Sequence, residues 1–291
     1  MDFPNLYFTV FEVMVFALAM AGFRHAWRRG PHVAWQLLAG MIFGVLLEWA
    51  TIQQLEAYHY GRFLIMIGDI PIAIGVSWGL IIYSARLFSD ATSLPGWARP
   101  VLDGLLALNI DLSMDAIAIR LGMWDWGQGL KFDYFGVPWA NFWAWFWVIV
   151  SFSASIRLFT RRQNWLGRWL APALAIVTGT LGVLGTNALI VYVLHPIGLY
   201  KVSVAVVLGG ALGLVLALRP RLHVRKAGWL ATAVPAAFHI YFLLAGMISG
   251  VIFAPPFLLV VSVAMLLAAW ALHRPLEKRP FSFVTKTDTT V

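Results

Sequence analysis

Carboxyl groups have the most chemistry to offer in this sequence, and eleven of its thirteen acidic residues precede residue 134. Asp111 and Asp115 are four residues apart, a spacing that sets two side chains on one face of a helix. Two carboxyls on one face repel when both ionise, so one is expected to hold a proton near neutral pH. A protonated carboxyl in apolar surroundings is a general acid. After the pair comes a ring-rich stretch holding Arg120, Trp124, Trp126, Tyr134 and Asn141; a shorter one, Tyr58-His59-Tyr60-Gly61-Arg62-Phe63, follows Glu48. Trp and Tyr at a membrane interface ordinarily form an aromatic belt, but this density of rings flanked by Asp and Gly points to a shaped lid.

These groups sit in a chain that is 61% hydrophobic and 12% charged, with a mean hydropathy of +0.80. Soluble domains carry about 25% charged residues, and the apolar residues here come in runs of the roughly 20 residues that a helix needs to cross a bilayer. The sequence therefore predicts an all-α polytopic membrane protein with nine transmembrane helices, at 5–23, 33–55, 70–88, 99–120, 138–160, 169–195, 199–218, 228–251 and 256–273. A single transmembrane domain over 1–273 and a polar basic tail over 274–291 are expected. No basic stretch precedes the first run, which reads as a retained span rather than a signal peptide. Seventeen of the 21 Lys and Arg residues fall in alternate loops, which by the positive-inside rule face the cytoplasm. That puts the N-terminus outside and the C-terminus inside, and it explains the net charge of +8 by topology rather than by nucleic-acid binding. A multi-pass protein of a bacterial or archaeal inner membrane, bathed in lipid, is expected.

An ionisable group inside a bilayer costs about 2.5–3.5 kcal/mol on insertion scales, so each needs a reason. By a rise of about 1.5 Å per residue, Asp111 falls near the middle of its span, Asp115 one turn further out, and Glu48, Asn141 and Asn187 in the outer halves of theirs, so the depths converge. They suggest a polar cavity open to the outer side. Glu12, alone on its helix, reads either as interhelical glue or as a local group. His239 reads as a packed, satisfied core histidine. The glycines at 179, 182, 185, 209 and 213 read as small residues for close helix packing.

At Asp111-Leu-Ser-Met-Asp115, Arg120, Gly122, Trp124, Trp126, Tyr134-Phe135-Gly136-Val137-Pro138 and Asn141, the sequence resembles the membrane carotenoid hydratases of bacteria and archaea. That family includes bisanhydrobacterioruberin hydratase. Glu48, Tyr58, Tyr60, Gly61, Pro71 and Trp78 add to a resemblance that covers roughly residues 40–150. The chain departs from the pattern where Ala116 follows Asp115 and where Trp143-Ala144-Trp145 follows Asn141-Phe142. The resemblance implies addition of water to a terminal double bond of an apolar carotenoid or related isoprenoid drawn from the bilayer. Asp115 or Asp111 would be the proton donor and Glu48 the base. Trp124, Trp126, Tyr134, Asn141, Tyr58, Tyr60 and Arg120 would form the substrate site. Such chemistry calls for neither metal nor organic cofactor.

The same acid and rings could instead serve a terpene or lycopene cyclase, in which a double bond rather than water captures the cation. A proton-coupled transporter also uses intramembrane acids, although the acids here gather in one half instead of being shared between repeats. Magnesium-dependent prenyl transfer needs a second acidic motif, and none lies between Asp133 and Glu277. The absence of cysteine excludes thiolate and disulfide chemistry. The seven histidines lack the paired spacings of di-iron enzymes.

Overall fold

The computed structural model describes residues 5–161, 164–222 and 227–273. Among them are nine helices: α1 (Leu6–Arg29), α2 (Pro31–Leu55), α3 (Ile72–Asp90), α4 (Arg99–Arg120), α5 (Trp139–Phe159), α6 (Leu166–Leu194), α7 (Tyr200–Leu218), α8 (Leu230–Ser249) and α9 (Leu258–His273). Seven are long and apolar enough to cross a membrane. The other two are α4, loaded with Asp103, Asp111 and Asp115, and α9, which has 16 residues. Each helix overlaps one expected span, so the polytopic all-α architecture stands. The tail over 274–291 lies outside the described residues.

Loops alternate between the two ends of the bundle, as the basic residues require. At the basic end Ser93 and Arg221 exchange hydrogen bonds of 2.9 Å, and the Trp35 indole donates to the carbonyl of Trp169 at 2.9 Å. At the opposite end strand β1 (His59–Tyr60) pairs antiparallel with β4 (Trp124–Asp125), tying the α2–α3 loop to the α4–α5 loop. The Ala140 amide donates to the Tyr200 hydroxyl there at 2.7 Å. A second small hairpin, β2 (Met66–Ile67) with β3 (Ile70–Pro71), leads into α3.

Helix α3 is the centre of the bundle, with 89% of its apolar window buried. Its close approach to α2 has a specific cause. Gly40 and Gly44 on α2 face Gly79 and Gly75 on α3, and a Cβ added at Gly44 would sit 2.4 Å from the carbonyl oxygen of Gly75. Without side chains the two backbones touch. Of the glycines expected to mediate packing, Gly179 lies against Phe43 and Phe152, and Gly182 against Ser151. Gly185, Gly209 and Gly213 have open space where a Cβ would be, so that expectation is corrected for these three.

Candidate active site

Glu48 lies on α2 one turn beyond Gly44, where the glycine contact brings Trp78 of α3 within reach. The Trp78 indole donates to Glu48 Oε1 at 2.6 Å. The chain leaves α2 at Glu56 in a left-handed conformation (φ 46°) and turns back over the helix. In the extended segment that follows, residues two apart share a face, so Tyr58 and Tyr60 both point down. Their hydroxyls donate to Glu48 Oε2 at 2.5 and 2.7 Å. Burial first, and then the Glu48 charge, push both phenols well above their ordinary range, which keeps them as donors.

The partner strand obeys the same period of two. With Tyr60 opposite Trp124 in the register, Trp126 falls beside Tyr58. Ring centroids are 6.1 Å apart for Tyr60–Trp124 and 5.1 Å for Tyr58–Trp126. Four rings from two loops thus form one lid.

Asp111 and Asp115 are buried on α4 at 0% and 2% exposure, and the Asn141 amide of α5 joins them. Its Nδ2 lies 2.5 Å from Asp115 Oδ2 and 3.2 and 3.1 Å from the two oxygens of Asp111. Asp115 shares a cavity wall with Trp124 and Glu48. Among the described residues no ion pair reaches Glu48, Asp111 or Asp115. A neutral amide between two buried carboxyls cannot offset two negative charges, so the pair carries one at most.

Glu48 and Asp115 face a common cavity of about 570 Å³, within the usual range for ligand pockets. Its walls come from α1 through α6 and α8, with Phe11, Trp78, Trp145, Asn187 and Phe238 among them. The ring centroids of Trp78 and Trp145 are 4.3 Å apart, with the planes tilted by 48°. Two exposed polar residues, Gln128 and Glu56, are also among its lining.

Of the residues expected at the site, Glu48, Asp115, Tyr58, Tyr60, Trp124, Trp126 and Asn141 line this cavity. Asp111 stands behind Asp115. Arg120 and Tyr134 line no part of it. Arg120 Nη1 donates to the carbonyls of Ala116 and Phe135 at 2.7 and 2.5 Å, and the Tyr134 hydroxyl donates to the carbonyl of Leu112 at 2.7 Å. Both fasten the α4–α5 loop to α4. Glu12 accepts the backbone N–H groups of Leu64 and Ile65 at 3.0 and 3.1 Å, so it holds the loop that dips beside α1. His239 is satisfied by Ser113 and Asn109 at 3.2 and 3.0 Å. Trp145 was visible in the sequence only as one ring among many. The signal for it was its place one turn beyond Asn141.

The fold and site define a helical membrane protein with carboxyls buried around a ring-lined cavity. The profile of the family described as carotenoid biosynthesis protein matches residues 5–218, well over half of the chain. The chain belongs to that family, and the match extends beyond the 40–150 region of the sequence resemblance. No curated protein and no solved structure matches it.

Proposed function

We propose that this protein hydrates a terminal trisubstituted double bond of an acyclic carotene, giving a tertiary alcohol. One observation carries the reading: Asp115, buried beside Asp111 and Asn141, and Glu48, held by three side-chain donors, face the same ring-lined cavity. Asp115 transfers a proton to the less substituted alkene carbon, and the Asp111–Asp115 pair, starting with both carboxyls protonated, is left with the single negative charge that the Asn141 amide bridges. The positive charge develops on the tertiary carbon, where the faces of Trp78, Trp124, Trp126 and Trp145 favour it. A water oxygen then forms the C–O bond, and Glu48 takes the proton that water loses. Return of that proton to the aspartate pair completes the cycle, so alkene plus water gives alcohol with no net change in the protein.

The role of Glu48 is supported by its hydrogen bonds. A carboxylate has about four lone-pair sites; Tyr58, Tyr60 and Trp78 occupy three. Three donors stabilise the ionised form, and one site, on Oε1, stays open for a water. Gln128 and Glu56, exposed polar residues of the lining, offer water a way in, which favours hydration over cyclisation. The apolar chain enters sideways from the bilayer, with its end in the cavity and its length among the lipids.

Expression in cells that accumulate lycopene tests this reading. The product is expected to be heavier by one water per modified end. An isomer of lycopene would mean cyclisation, and unchanged pigment would reject both. Asp115→Asn should lower conversion by about 10²-fold or more, the usual worth of a positioned acid, with normal insertion into membranes. Full activity in that variant would remove Asp115 from the mechanism.

A further inference from the structure

We propose that Asn187 of α6 positions the attacking water, an assignment that rests on the hydratase reading above. Asn187 is 2% exposed, lines the cavity, and its Nδ2 is buried with no hydrogen-bond partner among the described residues. Nearly every buried amide in a folded protein is satisfied, so one left open toward a cavity marks a place for a ligand atom. The other unpaired buried polar atom in this wall is also a donor, the Trp126 indole nitrogen. The open amide of Asn187 asks for an acceptor, and the acceptor this reaction supplies is the oxygen of water.

The helix is shaped for this at the right place. Immediately after Asn187, α6 widens into a π-turn over Leu189–Leu194. In an α-helix, residues three and four beyond Asn187 share its face. The wider turn adds the fifth, and Ile190, Val191 and Tyr192 all line the cavity with it. The Tyr192 hydroxyl then donates to the Gln54 carbonyl at 3.0 Å, and Gln54 Nε2 donates to the Leu184 carbonyl at 2.9 Å. These two bonds fasten α6 to α2, the helix that carries Glu48.

The hydrogen-bond balance distinguishes water from other ligands. A water that accepts one bond from Asn187 and donates one to the open site on Glu48 Oε1 keeps its second lone pair free. That pair forms the C–O bond to the tertiary carbon, while the proton on the Glu48 side passes to the carboxylate. Without the Asn187 donor the cation still forms, because Asp115 is untouched. It then loses a neighbouring C–H proton to Glu48 and leaves as a double-bond isomer.

The ratio of hydrated to isomerised product therefore tests the assignment, with lycopene as the probe. Asn187→Leu has a similar shape and no donor. Its hydrate-to-isomer ratio should fall at least tenfold, while lycopene consumption stays within about threefold of wild type. Asn187→Gln, which keeps a donor, should retain more hydrate than the leucine variant. An unchanged ratio in Asn187→Leu, or parallel loss of both products in a variant that inserts normally, overturns the assignment. Should the leucine variant fail to accumulate, Asn187→Met carries the same expectation, since methionine adapts to irregular packing. A wild type that makes no hydrate defeats the hydratase reading itself. A wild type that hydrates, beside a donor-free variant with the same ratio, defeats only the role of Asn187.

Discussion

Replacing Gly44 by alanine should damage the site by forcing two helices apart, without substituting a cavity residue. The new Cβ would lie 2.4 Å from the Gly75 carbonyl oxygen, 2.7 Å from Trp78 Cβ and 3.0 Å from Gly75 Cα. Ordinary contact begins near 3.4 Å, so α2 and α3 must part by about 1 Å. Glu48 is one turn along α2 and Trp78 is at the point of contact, so that shift carries their 2.6 Å hydrogen bond to about 3.6 Å, beyond bonding range. Overpacking costs about 1–3 kcal/mol, and a lost hydrogen bond to a charged group about 1.5–3 kcal/mol. Denaturant unfolding in detergent micelles and lycopene conversion should both register the change, with stability lower by at least about 1 kcal/mol. Gly209→Ala is the control, because among the described residues nothing beyond its own stretch of helix lies within 4 Å of the added Cβ. If the effect runs through Trp78, Gly44→Ala should cost less in a Trp78→Phe background, where that bond is already gone. Equal behaviour of Gly44→Ala and Gly209→Ala, or strict additivity with Trp78→Phe, would refute the coupling.

Two further outcomes separate positioning from capping. The Tyr58 and Tyr60 phenols hold their protons more tightly when folded than the value of 10.0 for an unperturbed tyrosine. Their contribution is therefore complete below that pH and is lost as pH rises above it, while the unfolded chain ionises first. Unfolding followed across about pH 9 to 11 should show a fall in wild-type stability that is shallower in Tyr58→Phe/Tyr60→Phe; identical slopes would count against the buried-donor account. Glu12→Gln keeps one acceptor for the two amides of Leu64 and Ile65 and should cost about 1–2 kcal/mol in unfolding. Its lycopene conversion per folded molecule should stay within about twofold, the reverse of Asp115→Asn, and a loss as deep as that of Asp115→Asn would place Glu12 in the chemistry.

What the sequence made legible divides along the range of the forces involved. Long apolar runs report burial in lipid directly, so all nine helices could be read from hydropathy and punctuation. Depth along a helix follows from residue count, and Glu48, Asp115, Asn141 and Asn187 do reach one cavity. Rotation about the helix axis is harder to read, because it is set by packing. Gly40 and Gly44, or Gly75 and Gly79, have the same four-residue spacing as Gly209 and Gly213, yet only the first two pairs meet another backbone. The motif states that close approach is possible and is silent on which face has a neighbour. Loop residues were harder still. Arg120 and Tyr134 look like site residues by type, but their side chains turn to backbone carbonyls at 116, 135 and 112. Glu12 looked isolated because its partners are amides of an apolar loop, Leu64-Ile65, that a composition reading leaves at the surface. A subtler cue was present throughout. Tyr58-x-Tyr60 and Trp124-x-Trp126 repeat with the period of a strand inside a helical protein, and only an extended pair of loops over the cavity gives four such rings a common face. The catalytic reading leans on that pairing, since it delivers two hydroxyls to one oxygen of Glu48 and leaves the other oxygen with room for water.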